Sequence, residues 1–290
     1  MSPPALTIGL PVYNGARHLK QALESLLAQT HSDFELIVSD NASTDGTWEI
    51  LGEFAQHDPR ISLHRHSTNI GPVANFRRVL DLASGKYFMW AGADDEWDLR
   101  WAEVLLANFG PGTAISFGAV VVTDATGKIV RRCADFIYPK ARLPRLLKYF
   151  WDNEFDGKAN LIYGIYDRAA LLSTGLPDAF AGLPLVDMHF VFSHAERGEL
   201  VTDPSVCLYK RLSTAAPRTE PDSIVAACKR AHNLTGLTWS TVRYLATYPM
   251  LLSDPTAKLA LYAVLPARFA KHVAVGLSGG LGAALRRASR

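Results

Sequence analysis

Residues 6–15 read LTIGLPVYNG, an apolar run that ends abruptly in a polar turn. Residues 34–41, FELIVSDN, and residues 87–95, YFMWAGADD, repeat that arrangement. Between these runs apolar residues recur at the spacing of an amphipathic helix, as they do over residues 19–27. Short buried strands that alternate with helices are typical of βαβ units, so the sequence predicts an α/β fold with a mostly parallel central sheet flanked by helices.

Individual elements follow from the same alternation. Strands are expected over residues 6–12, 34–39, 61–64, 113–123 and 128–132, the last two as a hairpin, and another strand leads to Asp94. Pro72 suits the first turn of a helix. The residues expected on the buried face of that helix are Val73, Phe76, Leu80 and Ala83.

The composition is that of an ordinary globular protein. The 290 residues are 48% hydrophobic and 20% charged, and the formal net charge of +2 provides no general electrostatic case for nucleic-acid binding. The three cysteines are far apart and lack CxxC spacing, which favours neither a disulfide framework nor a zinc site. The N-terminus has no basic stretch ahead of its apolar run, and no apolar run reaches about 18 residues. We therefore expect a cytoplasmic protein.

Polar clusters follow three of the predicted strands, at Tyr13-Asn14, Asp40-Asn41 and Asp94-Asp95. The carboxyl ends of parallel strands meet at one edge of a sheet, where α/β proteins bind ligands, so the clusters are expected to converge. An ionised Asp40 can accept a hydrogen bond from a nucleotide base. Each cluster also has a simpler explanation, because Asp and Asn are common helix caps and turn residues.

Adjacent carboxylates at Asp94 and Asp95 repel each other unless a proton, a basic side chain or a divalent cation neutralises them. A hard cation with oxygen ligands suits such a pair well. The residues alone leave these alternatives open, together with a solvated turn.

Four linked motifs resemble family 2 glycosyltransferases, which have the GT-A fold: LPVYNG, VSDNASTDGT, NIGPVANF and WAGADDEW, at residues 10–15, 38–47, 69–76 and 90–97. The resemblance covers residues 6–212 and implies a Rossmann-like domain that holds a nucleoside-diphosphate sugar and inverts the anomeric configuration. It implies a nucleotide-sugar half over about 1–112 and an acceptor half over about 113–212. Residues 213–290 are then expected to form a C-terminal helical extension.

The resemblance also implies roles for individual residues. The nucleotide-sugar pocket is expected to involve Pro11, Val12, Tyr13, Asn14, Asp40, Asn41, Asn69, Gly71, Asn75, Ala93, Asp94 and Arg211. Arg211 would contact the diphosphate. The family's metal motif usually reads D-x-D-D, and this chain has Gly92 at its first position. Mg²⁺ or Mn²⁺ is expected at Asp94 with help from Asp95.

A sugar hydroxyl is a poor nucleophile at neutral pH, so the reaction needs a base that takes its proton during attack. Asp187 is the candidate, because it falls where the family carries an E-D motif, although Val186 replaces the Glu. An N-cap is the alternative role for Asp187. Asp178 is the second choice for the base.

The last part of the chain turns basic. No acidic residue follows Asp254, whereas six Lys or Arg residues do. Basic residues beside apolar faces predict an interfacial helix over residues 255–290, with peripheral contact at the inner face of the membrane. Pro266 and later glycines interrupt the pattern, which favours the alternative of a helix packed on the protein or a homodimer contact.

The leading hypothesis is an inverting glycosyltransferase that moves a sugar from a nucleotide donor, with a UDP-sugar favoured, to a glycan or lipid-linked saccharide in bacterial cell-surface polysaccharide biosynthesis. The alternative is a non-catalytic nucleotide-sugar-binding protein, which the departures at Gly92 and Val186 favour. A third hypothesis, a nucleotidyltransferase, requires a phosphate-binding loop after the first strand, and PVYNGARH at residues 11–18 resembles one only weakly.

Overall fold

The computed structural model describes residues 3–124, 126–174, 186–212 and 239–288. The chain divides into two compact units that are each discontinuous in sequence. Unit 1 comprises Met1–Tyr138, Asn160–Leu176 and Arg197–Thr214, and unit 2 comprises Pro139–Ala159, Pro177–Glu196 and Ala215–Arg290. The predicted boundary at residue 212 stays a prediction, because residues 213–238 lie outside the described part of the chain.

Among the described residues, unit 1 has nine strands and the helices that connect them. The strands are β1 (Leu6–Val12), β2 (Phe34–Asp40), β3 (Ile61–Arg65), β4 (Tyr87–Trp90), β5 (Glu96–Trp97), β6 (Thr113–Thr123), β7 (Ile129–Arg132), β8 (Ile165–Asp167) and β9 (Glu199–Arg211). The helices are α1 (Ala16–Leu27), α2 (Thr47–His57), α3 (Pro72–Asp81), α4 (Trp101–Ala107) and, later in the chain, α6 (Arg168–Thr174). The predicted strands and the hairpin are confirmed to within one or two residues.

The strands form one sheet with the order β3-β2-β1-β4-β8-β6-β9-β5, and β7 pairs with β6 off this path. The predicted parallel arrangement is present in β3-β2-β1-β4. Beyond β4 the sheet is mixed, because β8 runs antiparallel to both β4 and β6 while β9 runs parallel to β6. The parallel half therefore collects the carboxyl ends of β1, β2 and β4 at one edge.

Apolar spacing predicts the buried face of helix α3 in part, because Leu80 and Ala83 are buried as predicted and Phe76 is partly buried. The buried residues of the helix itself are Asn75, Val79 and Leu80, whereas Val73 is exposed. The prediction for Val73 is therefore wrong. The reason is polar: the amide of Asn75 donates to the carbonyl of Ser39 at 3.0 Å and accepts from the Ser39 hydroxyl at 2.7 Å, and these bonds turn Asn75 towards the sheet.

Unit 2 is helical. Its helices are α5 (Arg142–Trp151), α7 (Val186–Arg197, whose last residue belongs to unit 1), α8 (Trp239–Met250) and α9 (Pro255–Ala288). Two 3-10 helices follow α5, at Glu154–Asp156 and Lys158–Tyr163. The second one begins in unit 2 and ends in unit 1.

Basic side chains cap the C-terminal end of α5. The carbonyl groups of a helix's last turn have no partner within the helix. Arg268 of α9 donates to the carbonyl of Phe150 at 2.7 Å, and Lys271 donates to that of Trp151 at 2.8 Å. Lys158 donates to the carbonyl of Tyr149. Positive charge at this end also complements the helix dipole, so these contacts hold α9 against α5.

These contacts bear on the lipid hypothesis for residues 255–290. Arg268 is only 1% exposed, and Lys271 is bound to a backbone carbonyl, so two of the six cations that suggested a lipid-facing surface serve packing within unit 2. None of the described helices combines the length and the apolar character needed to cross a membrane. Contact of this segment with a membrane surface stays a prediction.

Candidate active site

The site is assembled in unit 1, at the carboxyl edge of the parallel half of the sheet. The last residues of β1 and β2, Val12 and Asp40, are direct neighbours, and Gly9 of β1 pairs with Trp90 at the end of β4. The turns that follow these strands therefore lie side by side. This confirms that the three polar clusters converge on one edge, as the strand pattern predicts.

The turn between β1 and α1 is bonded to the turn between β2 and α2. Asn14 has a φ of 50°, in the left-handed region, and its amide oxygen accepts from the N–H of Thr44 at 2.9 Å. The backbone N–H groups of residues 14, 15 and 16 donate to the side chains of Ser43, Thr47 and Asp45 at 2.9, 2.9 and 3.1 Å. The N–H groups of the turn that leads into α1 are therefore occupied by side chains, which disfavours the phosphate loop that a nucleotidyltransferase would need.

Asp40 is fully buried, and the structure holds its carboxylate in place from two sides. Its oxygens accept from the N–H of Ser43 at 3.2 and 3.4 Å, and Arg65 lies 3.1 Å from Oδ2. Arg65 also donates to the carbonyl of Ser43 at 3.0 Å and lies over the ring of Trp48. Asp40 therefore caps the turn after β2, and its predicted contact with a nucleotide base stays a prediction.

The asparagines of the predicted pocket form a hydrogen-bonded frame. Asn41 donates to the amide oxygen of Asn69 at 2.8 Å and accepts from the N–H of Ile70 at 2.8 Å. Gly71 has a φ of 85°, a conformation that glycine adopts without strain, and α3 begins at the next residue. Asn75 joins α3 to β2, as described above. The predicted roles of these residues towards a ligand stay predictions, and the contacts show that they shape the edge of the sheet.

Pro11 and Tyr13 are partly buried beside this frame, whereas the side chain of Val12 lies in the core. Ala93 is partly buried in the loop that follows β4. All these residues are brought to one edge of unit 1.

The acidic run after β4 differs from residue to residue. Asp94 is exposed, whereas Asp95 is fully buried. The Asp95 carboxylate accepts from the ammonium of Lys210 at 2.6 Å, and Glu96 forms an ion pair with Arg211. Strand β5 pairs antiparallel with β9, which brings these cations to the acidic run. A basic side chain, one of the three alternatives that the residues left open, is thus what neutralises Asp95.

Charge and burial act together on this pair. Burial raises the pKa of the Asp95 carboxyl, the nearby charge of Asp94 raises it further, and Lys210 opposes that rise. Burial by itself lowers the pKa of Lys210, but Tyr163 and Asp95 raise it above its ordinary value. The Lys210 ammonium also lies 4.6 Å from the centre of the Tyr163 ring. Lys210 is therefore a cation at neutral pH.

The predicted divalent cation is tested by this geometry. Among the described residues no group of three His, Cys, Asp or Glu side chains could hold a metal ion. Asp95 offers Oδ2 to an ammonium group, and residue 92 has no side chain. The residues present therefore do not fit a divalent ion held between Asp94 and Asp95. Asp94 alone keeps an exposed carboxylate and stays a predicted ligand.

Sequence reasoning understated Lys210 and missed His18. His18 lies on α1 close enough to Arg211 and to Asp94 for their charges to act on it, and burial together with Arg211 lowers its pKa. The signal for Lys210 was present, because two adjacent cations end the apolar stretch at residues 206–209. Their acidic partners could not be identified, because they lie 115 residues away in the sequence.

Asp187 lies in the first turn of α7, in unit 2, and its carboxylate accepts from the N–H of Met188 at 2.9 Å. This contact is compatible with a role at the start of a helix, and the role as a base stays a prediction. Asp178, the second choice, lies outside the described residues.

Comparisons with known proteins show which proteins this chain resembles. Residues 7–133 match the family model described as Glycosyl transferase family 2. One relative is WcaA of Escherichia coli (strain K12), which is provisionally named a colanic acid biosynthesis glycosyl transferase. It is 30% identical over 149 residues, which are 50% of this chain and 53% of that protein. Bacillus subtilis (strain 168) TuaG, provisionally a teichuronic acid biosynthesis glycosyltransferase, is 32% identical over 94 residues, 32% of this chain and 37% of that protein. The chain thus spans about half or less of these relatives.

Solved structures show the same fold at low sequence identity. S. aureus TarS 1-349 in complex with UDP-GlcNAc is similar with a TM-score of 0.63 and 18% identity, over 92% of this chain and 72% of that chain. The mannosyltransferase PcManGT from Pyrobaculum calidifontis, in complex with GDP-Man and Mn²⁺, has a TM-score of 0.55 and 18% identity, over 100% of this chain and 80% of that chain. These similarities show the fold.

Proposed function

We propose that this chain transfers a sugar from a nucleoside-diphosphate sugar to a carbohydrate acceptor, because residues 7–133 match the family model described as Glycosyl transferase family 2. The observation that supports this most is the convergence in unit 1 of the turns after β1, β2 and β4 on one edge of a parallel sheet. That edge is where α/β folds bind nucleotides. Fold alone does not imply function, so the proposal depends on the residues at this edge.

The donor is proposed to be a nucleotide sugar. Proteins of similar fold were solved with UDP-GlcNAc and with GDP-Man, which supports the donor class and leaves the base open. We favour a UDP-sugar from the family resemblance. Asp40 would bind the base, Pro11, Tyr13 and Asn14 would surround the nucleoside, and the frame of Asn41, Asn69, Gly71 and Asn75 would border the donor.

The reaction is proposed to be a single displacement with inversion. Asp187 would take the proton of the acceptor hydroxyl as the hydroxyl attacks the anomeric carbon, and the nucleoside diphosphate would leave with the electrons of the broken bond. A carboxylate can serve this role only when it is ionised, which Asp is at neutral pH unless its environment shifts its pKa strongly.

The acceptor is proposed to be a glycan or a lipid-linked saccharide. The names of WcaA and TuaG place those relatives in colanic and teichuronic acid biosynthesis, which supports a surface polysaccharide as the product class. Action in the cytoplasm, with peripheral membrane contact through residues 255–290, and a homodimer remain part of the proposal.

A panel of nucleotide sugars tests the donor. A ligand that binds only the folded state raises the melting temperature, so UDP-GlcNAc, GDP-Man and other donors are compared by thermal shift. A rise with at least one donor is expected. If none of the donors shifts the melting temperature, the proposed function is wrong.

The base is tested by Asp187→Asn. We expect transfer and donor hydrolysis to fall by roughly 10²- to 10⁴-fold, the usual contribution of general base catalysis, while the thermal shift with donor persists. Asp135→Asn, which changes another carboxylate by the same isosteric replacement, is the matched control and keeps wild-type turnover. An Asp187→Asn variant with near-normal turnover would remove Asp187 from this role.

A non-catalytic nucleotide-sugar-binding protein is the second candidate. It is favoured by the absence of a side chain at Gly92 and by the pairing of Asp95 with Lys210. Donor hydrolysis distinguishes the two candidates, because a binding protein would shift its melting temperature with donor and release no sugar.

A further inference from the structure

The ion pair between Asp95 and Lys210 is the most constrained charged contact at the candidate active site. The Asp95 side chain is fully buried, whereas 26% of the Lys210 side chain is exposed. The distance of 2.6 Å between Oδ2 and Nζ is that of a short charge-assisted hydrogen bond. Asp95 therefore fixes the ammonium from the protein side, while part of Lys210 faces outward.

Gly92 belongs to the same arrangement. A Cβ atom at residue 92 would lie 2.5 Å from Oδ2 of Asp95 and 3.3 Å from its Cγ. Any side chain there would force the Asp95 carboxylate to shift from the position in which it meets Lys210. The carboxylate of Asp95 lies over Gly92, the first position of the metal motif, and in this position it also meets Lys210 of β9. The absence of a side chain at residue 92 is therefore what allows this ion pair.

The charges of the acidic run can be followed residue by residue. Asp94, Asp95 and Glu96 carry three negative charges, and β9 supplies Lys210 to Asp95 and Arg211 to Glu96. Asp94 is left as the exposed carboxylate of the run. Mg²⁺ at nucleotide sites is bound by one or two carboxylates together with substrate phosphates, and this run offers it Asp94 alone, because Asp95 is paired with Lys210.

An ammonium has three N–H donors. Asp95 takes one of them, and Tyr163, whose ring centre lies 4.6 Å from the ammonium, hydrogen-bonds to it as well. One N–H is left for a ligand, and the Lys210 side chain as a whole is 26% exposed. The proposed donor carries a negatively charged diphosphate, and this is the group that such a cation would bind at this edge of the sheet.

We propose that Lys210 takes the place of a divalent cation in this chain: held by Asp95 over Gly92, it binds the diphosphate of the donor directly. The proposal rests on the proposed nucleotide-sugar function. A fixed ammonium stabilises the negative charge that develops on the leaving diphosphate without a metal ion. Nucleotide binding is therefore independent of Mg²⁺ and Mn²⁺.

The test measures binding of UDP, GDP and UMP to wild type, Lys210→Met and Lys20→Met by calorimetry, in excess EDTA and in Mn²⁺. Lys20 is an exposed lysine on α1 and provides the matched control. For the wild type we expect dissociation constants for the preferred diphosphate that agree within about threefold in EDTA and in Mn²⁺. Lys210→Met should lose about 10- to 100-fold in diphosphate affinity in EDTA, the scale of one hydrogen bond to a charged group, and little affinity for UMP.

Folding is controlled by a second variant. Lys210→Met alone leaves a buried carboxylate without its partner and lowers stability, whereas Asp95→Asn combined with Lys210→Met removes both charges and should melt close to the wild type. The double variant must show the same loss of diphosphate affinity. Diphosphate binding by the wild type only in the presence of Mn²⁺, or wild-type affinity of either Lys210 variant in EDTA, would overturn the proposal.

Failure of the proposed function gives a different result. If no nucleotide binds in any condition, the binding of Mn²⁺ alone is measured by electron paramagnetic resonance. This measurement then decides whether Lys210 replaces a dication. Mn²⁺ that binds Lys210→Met and not the wild type supports the replacement of a dication by the ammonium. Equal behaviour of the two proteins towards Mn²⁺ excludes it.

Discussion

Replacing Arg268 by Met removes the central cation of the contact between α9 and α5. Arg268 is 1% exposed and donates to the carbonyls of Phe150 at 2.7 Å and Asp152 at 3.2 Å. It also forms an ion pair with Glu154, whose side chain is 2% exposed. The substitution leaves a buried carboxylate without its closest cation.

The expected cost follows from that burial. Removing one partner of a buried ion pair costs about 3–5 kcal/mol, because the remaining charge stays desolvated. With a urea slope of about 2 kcal/mol per molar, the unfolding midpoint of unit 2 falls by roughly 2 M. The assay is urea unfolding with hydrogen exchange of the α5 amides as the readout, since these amides report on the segment that Arg268 caps.

Two variants make the prediction refutable. Lys271→Met removes a solvent-exposed bond to the carbonyl of Trp151 and should cost less than about 1 kcal/mol. Glu154→Gln combined with Arg268→Met removes both charges and should recover much of the lost stability. The reasoning is refuted if Arg268→Met costs no more than Lys271→Met, or if the double variant is as unstable as Arg268→Met.

Two pH dependences follow from the same cluster. Burial by itself raises the pKa of Glu154, but the His272 ring and the charges of Lys158 and Arg268 lower it from 4.5 to about 2. The ionised Glu154 therefore contributes about 3 kcal/mol to the free energy of unfolding. This contribution is complete above pH 4.5 and is lost as the pH falls through about 2. Acid unfolding curves should lose this component in Glu154→Gln, and an unchanged curve would contradict it. Burial lowers the pKa of Lys158 from 10.5 to about 7. Between pH 7 and pH 10.5 the folded state therefore binds fewer protons than the unfolded state, so the free energy of unfolding rises with pH across this range. Melting curves from pH 7 to 10 should show this rise in the wild type and not in Lys158→Met, whereas an equal rise in both would exclude Lys158 as its source.

Much of unit 1 could be predicted from the sequence because its signals are local. The run at residues 6–12 is a strand with those bounds, and the hairpin formed by residues 113–123 and 129–132 follows from apolar runs on either side of a turn. Convergence of Asp40 and Asp94 on one sheet edge follows from parallel pairing, which alternating strands and helices require. The face of α3 was missed at Val73, because one amide that bonds to the sheet outweighs apolar spacing.

The sequence by itself therefore determined the strands and helices of the parallel half and the edge of the sheet where polar residues collect, since periodicity and turn chemistry act between neighbours along the chain. Only the tertiary structure decided which cation meets which carboxylate. Lys210 and Asp95 are 115 residues apart, and Arg268 and Glu154 are 114 apart. Charges attract through space irrespective of their separation in sequence, so the partner of a buried carboxylate is set by packing and appears only in the folded chain.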